Sequence, residues 1–309
     1  MDTGVPRPTG GKQNPQIAAK YEGIYGVLLA RAVAILRSPG MNDPVQAFFR
    51  LRNALQAAWA VVTLSTDGAA IDEADLDRRS AAFEQGPYAW SERGQRVEST
   101  NLGFAEARSR ILLAVTHAYM PADCDAVLDL GCGWGHRLFE LWVNGGPRDA
   151  AYWGGDRAPA ALETIRRVAA LFPGMKVAPF PFDFLRPDFT AVTGQPKSIL
   201  IYTFLAVEQV FRLGSGLFDA LVARFPDAVI TCVHLEPVAF QAHPDDPAWD
   251  ADRRYAEKHR YNIDLYAQVA AHPRLKILAL DEGLMDEGGG NSLSALVWRH
   301  TPAHSGAQN

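Results

Sequence analysis

Cysteine is scarce: Cys124, Cys132 and Cys232 are the only three in 309 residues, too few and too scattered for a disulfide framework or a four-ligand zinc site. A reducing cytoplasm is the compartment this usage implies. Excess positive charge is also missing, since 30 Lys and Arg stand against 35 Asp and Glu. The formal net charge of −5 supplies no general attraction to phosphate backbones or anionic lipid, so neither nucleic acid nor a membrane is an expected partner. Long apolar runs are absent too. Val27–Ala30 ends at Arg31, and Ile111–Val115 is closely followed by His117, far short of the roughly 20 residues that cross a bilayer. Residues 1–15 lack the apolar core of a secretory signal and read, like 303–309, as tails. What remains, 48% hydrophobic and 21% charged, is an ordinary globular composition.

From 16 to 38, Ile17, Tyr21, Ile24, Leu28, Ala32 and Ile35 recur at three- and four-residue steps, one face of a helix. Asn42-Asp43-Pro44 combines capping side chains with a proline suited to the first helical turn. Phe48, Leu51, Leu55, Ala58, Trp59 and Val62 continue that second helix. Helical segments near 72–83 and 101–119 complete a helical first third, residues 16–120, with 85–100 between them reading as a polar loop. After Pro121, over 121–302, short apolar runs alternate with helical patterns, which predicts an α/β fold with a parallel sheet. Strands are expected near 126–130, 151–155, 176–179, 198–202, 228–233, 275–280 and 293–298. No helix fits between the last two, across Gly288-Gly289-Gly290, so they should form an antiparallel hairpin at a sheet edge.

The most informative string is Val127-Leu128-Asp129-Leu130-Gly131-Cys132-Gly133-Trp134-Gly135-His136, a buried strand entering a glycine turn that opens a helix. Such a turn removes β-carbons that would hold a ligand off the backbone and presents free amides to it. His136 stands where a dinucleotide fingerprint wants its third glycine, which argues against a pyrophosphate.

Asp129, Gly131, Gly133 and Gly135 match the acid-x-G-x-G-x-G motif, and the chain here resembles the class I S-adenosylmethionine-dependent methyltransferases over roughly 121–301. The resemblance implies a seven-stranded Rossmann-like sheet preceded by a helical cap, with S-adenosylmethionine as cofactor. It places the cofactor against Asp129, Gly131, Cys132, Gly133, Gly135 and Arg157. Asp156, in Tyr152-Trp153-Gly154-Gly155-Asp156, would accept hydrogen bonds from both ribose hydroxyls; the alternative is a surface acid paired with Arg157. Asp183 and Phe184 would flank the adenine, or Asp183 only forms a turn among nearby prolines. Thr203 and Phe204, ending the fourth strand, would lie beside the sulfonium and the acceptor. Cys232-Val233-His234-Leu235-Glu236-Pro237, Tyr261-Asn262-Ile263-Asp264-Leu265 and the closing strand from Asn291 are similar to a bacterial group described as sugar O-methyltransferases.

Methyl transfer needs a nucleophile aligned behind the methyl, and a base when the acceptor is a hydroxyl or a protonated amine. His234, with an ordinary pKa near 6.5 at the expected strand end, is the leading candidate; the alternative is a hydrogen-bonded structural histidine. Glu208 and Glu236 would orient it or hold an acceptor hydroxyl, or merely cap a helix. Tyr21, Tyr25, Tyr88 and Trp90 would give the cap an aromatic surface for the acceptor, unless Tyr21 and Tyr25 are core residues. A dimer interface is the other use of such a helical region. The fourth strand lacks the N/D-P-P-Y/F string of nucleobase-amine methylation, and no divalent metal is expected. Expected chemistry is therefore O-methylation of a small metabolite; N-methylation of an amine or peptide and a non-catalytic cofactor-binding module are the alternatives.

Overall fold

The computed structural model of the chain describes residues 15–38, 42–64 and 72–302, with residues 15–19 and 64 described by backbone alone. Of the tails expected at 1–15 and 303–309, residues 1–14 and 303–309 lie outside the described residues, as does the side chain of Ile17, while Pro15 belongs to the first helix rather than to the tail.

Four helices occupy the first third: α1 (Pro15–Leu36), α2 (Pro44–Leu64), α3 (Glu73–Gln85) and α4 (Asn101–Tyr119). The expected stripes are buried, Ile24, Leu28 and Ala32 on α1 and Phe48, Leu51, Leu55 and Ala58 on α2. Asp43 caps α2 as its sequence implies, accepting the amides of Val45 and Gln46 at 2.8 and 3.2 Å.

The segment read as a loop before α4 is instead a hairpin, β1 (Pro87–Glu92) and β2 (Gln95–Thr100). Arg93 and Gly94 form its two-residue turn, both at positive φ (48° and 78°), the conformation that a tight hairpin demands. The hairpin is invisible to a search for apolar runs because β2 is polar and mostly exposed. Only Trp90 against Val97 gives its inner face an apolar cross-strand pair.

All seven strands expected after 121 are present, as β3 (Ala126–Leu130), β4 (Ala151–Asp156), β5 (Lys176–Pro181), β6 (Ser198–Phe204), β7 (Val229–Glu236), β8 (Lys276–Asp286) and β9 (Leu293–His300). They belong to one sheet of nine, not seven, in the order β2-β1-β8-β9-β7-β6-β3-β4-β5. β3 to β7 are parallel, and β9 lies antiparallel between β7 and β8. The final hairpin is therefore not the edge: β1 joins β8 at Ser91–Asp286 and Glu92–Met285, leaving β2 outermost.

Helices α5 (His136–Val143) and α6 (Pro159–Ala169) cover one face of the sheet, together with α1, α2 and α4, in a common core that includes Leu28, Phe48, Phe139, Ile165 and Tyr202. On the other face α7 (Gly216–Arg224) and α10 (Leu265–Ala271) pack over Leu128, Ile201 and Trp298. Two further helices, α8 (Ala239–Ala242) and α9 (Asp250–His259), lie between β7 and α10 in the chain. A buried ion pair crosses the first core. Arg52 of α2 reaches Glu140 of α5 at 2.5 Å, and Ser109 of α4 donates to the same carboxylate at 3.0 Å. The cap helices and the sheet are thus joined by both apolar packing and charge.

Candidate active site

Connections leave β3 in opposite directions, to β4 and β5 on one side and β6 and β7 on the other, so a crevice opens at the carboxyl ends of β3 and β6. The glycine turn stands there. Gly131, Gly133 and Gly135 all have positive φ, at 73°, 55° and 76°, which excludes most side chains. Their missing β-carbons also make room for protein. A Cβ at Gly131 would fall 2.5 Å from the Ala206 Cβ, one at Gly133 2.6 Å from the Tyr25 hydroxyl, and one at Gly135 2.8 Å from Ile165. Nor are the turn's first amides all turned outward: Gly131 and Cys132 donate to the Gly155 carbonyl at 2.8 and 3.0 Å. The glycines close the turn against its own neighbours, and the acid at the end of β4 takes the next amide.

That acid is Asp156. One carboxylate oxygen accepts from Gly133 N at 2.8 Å and the other from Ala158 N at 2.9 Å, so it is fixed by the turn rather than paired at the surface with Arg157. Burial pushes its pKa up, and the amides of Ala158 and Gly133 hold it down. Each oxygen keeps a further acceptor site on the cavity side.

A cavity of about 1090 Å³ extends from this carboxylate, walled by Gly131, Cys132, Gly133, Asp156 and Arg157 and by Phe182 and Phe184 at one end. Drug-sized ligands occupy pockets of roughly 300–1,000 Å³, so a nucleoside and a small acceptor fit together. Asp129 and Gly135 lie behind this wall; burial raises Asp129 to about 7 against the attraction of Arg137, and its Oδ2 has no partner among the described residues. Asp183 is outside the wall as well. It accepts from Leu185 N at 3.0 Å and pairs with Arg186 and Arg157 at 3.3 and 3.8 Å, the turn-forming alternative, while its neighbour Phe184 does face the cavity.

The cap supplies the roof. Tyr21, Tyr25 and Trp59 form a contiguous aromatic group with ring centroids 5.3–6.5 Å apart, and all three line the cavity with Tyr88 and Phe104. Trp90 does not reach it: it is buried behind, against Phe104 and Tyr88. Phe204, Leu205, Ala206 and Glu208 form the floor after β6. Glu208 is buried, with Oε2 unpartnered among the described residues; burial and the neighbouring Glu236 raise its pKa to about 8. The loop is braced by Asn262, which donates to the Glu208 carbonyl through its amide at 2.9 Å and to the Val210 carbonyl through Nδ2 at 2.7 Å. Asp264 accepts from Leu213 N at 2.8 Å. The Tyr261–Leu265 string singled out in the sequence thus shapes the floor from outside.

His234 is not in the site. Along β6 and β7 successive side chains alternate between faces, and Phe204 faces the cavity while Thr203 and His234, paired in register, face the opposite core. Trp298 Nε1 donates to His234 Nε2 at 2.9 Å, which leaves the proton on Nδ1, 3.0 Å from the Thr203 hydroxyl. Burial depresses its pKa to about 3. His234 is a structural histidine, and Thr203 is its partner rather than a cavity residue. Glu236 is likewise spent on the fold, accepting the amides of Ala206, Val207 and Glu208 at 3.0–3.1 Å as the cap of a short turn. With an unfolded pKa of 6.5 and a lower folded one, His234 contributes stability that is complete above pH 6.5 and lost as pH falls toward 3. His234→Asn removes that dependence. Its stability deficit relative to wild type should therefore shrink by about 2 kcal/mol between pH 7 and pH 5, measured by urea unfolding at each pH; a constant deficit would contradict a neutral buried ring.

Sequence reasoning passed over several cavity residues, among them Arg108, His136 and Arg137. His136 is buried with both ring nitrogens unpartnered among the described residues, stacked on Trp134 at 4.7 Å. Its signal was its position, in the slot of the third glycine of a dinucleotide fingerprint. Among the described residues no cluster of three or more His, Cys, Asp or Glu could hold a metal, and no helix is long and apolar enough to cross a membrane.

No protein-family model and no curated protein matches the chain. Solved structures similar in fold include an S-adenosylmethionine-dependent methyltransferase from Anabaena variabilis, 13% identical, covering 70% of this chain and 88% of that one at a TM-score of 0.42. An O-methyltransferase from Bacillus cereus in complex with S-adenosylhomocysteine is 12% identical over 64% of this chain and 81% of that one, with a TM-score of 0.39. A geranyl diphosphate C-methyltransferase from Streptomyces coelicolor is 14% identical over 65% and 80%, with a TM-score of 0.41.

Proposed function

We propose that the chain is an S-adenosylmethionine-dependent methyltransferase that methylates an oxygen of a small metabolite. The observation that carries this is Asp156: a buried carboxylate at the end of β4, one oxygen held by Gly133 N of the glycine turn and the other by Ala158 N at the start of α6, that lines the cavity. A vicinal diol offers two hydroxyl donors to such a carboxylate, whereas a pyrophosphate would be repelled by it. Phe182 and Phe184 give apolar faces for a nucleobase.

S-adenosylmethionine, when bound, supplies a methyl group on a positively charged sulfur. The protein's own part is to position an acceptor and exclude water from it. The aromatic roof of Tyr21, Tyr25 and Trp59 does the second, and Phe204 and Leu205 at the carboxyl end of β6 form the surface on which the acceptor is placed. Leu205 itself has a positive φ of 49°, a strained backbone that bends the chain into the floor.

With His234 and Glu236 committed elsewhere, Glu208 is the group that takes the acceptor's hydroxyl proton. Such general-base assistance is worth roughly 10²–10⁴-fold, so Glu208→Gln should lower kcat about 100-fold or more while KM changes little. Wild-type kcat should rise with pH to a plateau above about 8, and this rise should vanish in the variant. Unchanged turnover in Glu208→Gln would instead support methylation of a neutral amine, which needs no base. The same carboxyl affects stability: between its unfolded value near 4.5 and about 8 the folded state holds a proton that the unfolded state releases. Stability therefore falls as pH rises through that window, and the variant is spared this fall. A mass-tagged donor incubated with protein and a metabolite extract tests the activity itself; tag appearing on a small molecule supports it, and none on any product would favour a cofactor-binding module.

A further inference from the structure

Two guanidinium groups converge on one ring in the acceptor end of the cavity. The Arg137 carbon Cζ stands 3.9 Å from the Phe204 centroid, and that of Arg108, from α4, stands 5.0 Å from the same centroid and 5.6 Å from Phe104. Both line the cavity. Neither makes an ion pair among the described residues, and several nearby acids have other partners, Glu287 accepting from the Tyr88 hydroxyl at 2.7 Å. Glu140, on the same helix as Arg137, is held by Arg52 and Ser109. Asp129 lies behind the glycine turn, Asp156 is taken by backbone amides, and Glu208 receives Gln209 at 2.8 Å. Arg137 also keeps a buried Nε without a partner. Burial, and then the charge of Arg108, depresses the Arg137 pKa to about 10, as expected for like charges sharing a partly desolvated space.

Taking the methyltransferase proposal as its basis, we infer that Arg108 and Arg137 form a paired site for an oxyanion carried by the acceptor, a carboxylate or a phosphate on a planar ring. The rigid fork of a guanidinium matches two oxygens of such a group, and two forks around one ring leave an anion as the ligand that relieves their mutual repulsion. Phe204, Phe104 and Tyr88 around them supply apolar surface for the ring. The acceptor would then be a ring hydroxyl compound held by its acidic substituent, with the hydroxyl directed along the floor toward Glu208.

The test measures binding to the protein saturated with S-adenosylhomocysteine, using 4-hydroxybenzoate, phenyl phosphate and the neutral 4-hydroxybenzamide as probes. Expected is at least 10-fold tighter binding of an anionic probe than of the amide, with the ratio falling toward one in Arg108→Gln and in Arg137→Gln and partly restored in Arg108→Lys. Preference for the benzoate alone or the phosphate alone identifies which oxyanion the site takes. Equal affinities for all three probes, including no binding of any, overturn the inference, as does an anion preference that survives Arg108→Gln. If Arg137→Gln loses S-adenosylhomocysteine while keeping the anion preference, Arg137 serves the cofactor and the paired site is wrong. Failure of wild type to bind S-adenosylhomocysteine at all is a separate result, and it removes the methyltransferase proposal instead.

Discussion

Asp156→Ala should lower affinity for S-adenosylhomocysteine by about 100-fold or more, since two hydrogen bonds to a charged acceptor are each worth roughly 1.5–3 kcal/mol. The size of the effect follows from how the carboxylate is held. Gly133 N and Ala158 N fix both oxygens, so the acceptor sites facing the cavity are aimed before any ligand arrives. Asp156→Asn keeps one oxygen and should lose less. Because alanine also strands the two amides, a melting curve of each variant separates local loosening from lost ligand contacts: the affinity loss should far exceed the change in stability. Equal affinity in wild type and Asp156→Ala would show that the ligand's sugar sits elsewhere.

Arg52→Ala should destabilise the protein by about 3–5 kcal/mol, the range for removing one partner of a buried pair, out of a total that is commonly only 5–15. Glu140 has a side-chain exposure of 1%, and without Arg52 its charge keeps only the Ser109 hydroxyl as a close partner. Converting both residues to apolar ones, Arg52→Met with Glu140→Leu, should recover much of the loss, because the uncompensated charge is what weakens the single variant. Since the pair bridges α2 and α5, urea unfolding of the single variant should remain one transition shifted to lower denaturant. An early transition affecting the cap alone, at unchanged stability of the rest, would show that the helical first third is a separately folding unit.

Much of this architecture was legible in the residues. The strands after 121 are apolar runs bounded by turn residues, and among the parallel ones β3, β6 and β7, buried on both faces over nearly their whole length, carry that signature most clearly. The hairpin β1–β2 has no such signature: its outer strand reads Gln-Arg-Val-Glu-Ser-Thr, and its turn uses Arg-Gly where Asn-Gly or Asp-Gly would have announced it. The glycine turn and Asp156 were identifiable because their spacing is local. His234 was misjudged for a different reason. A strand places alternate residues on opposite faces, and a one-residue difference decides whether a side chain meets the cavity or the core; that parity is set by register with β6, which sequence alone does not reveal. Glu236 and Asp183 were chemically apt and lay close in sequence to the site, yet backbone amides claim the one and a turn claims the other. Arg108 was out of reach because α4 is brought over the sheet only by the packing of the cap, a long-range contact without a local pattern.

One titration bears most directly on the whole account: calorimetry of the wild-type protein with S-adenosylhomocysteine, run beside NAD under the same conditions. Saturable binding of one molecule of S-adenosylhomocysteine per chain, with no comparable heat from the dinucleotide, is the expected result. Tighter binding of the dinucleotide, or no heat from S-adenosylhomocysteine at any concentration, would contradict it.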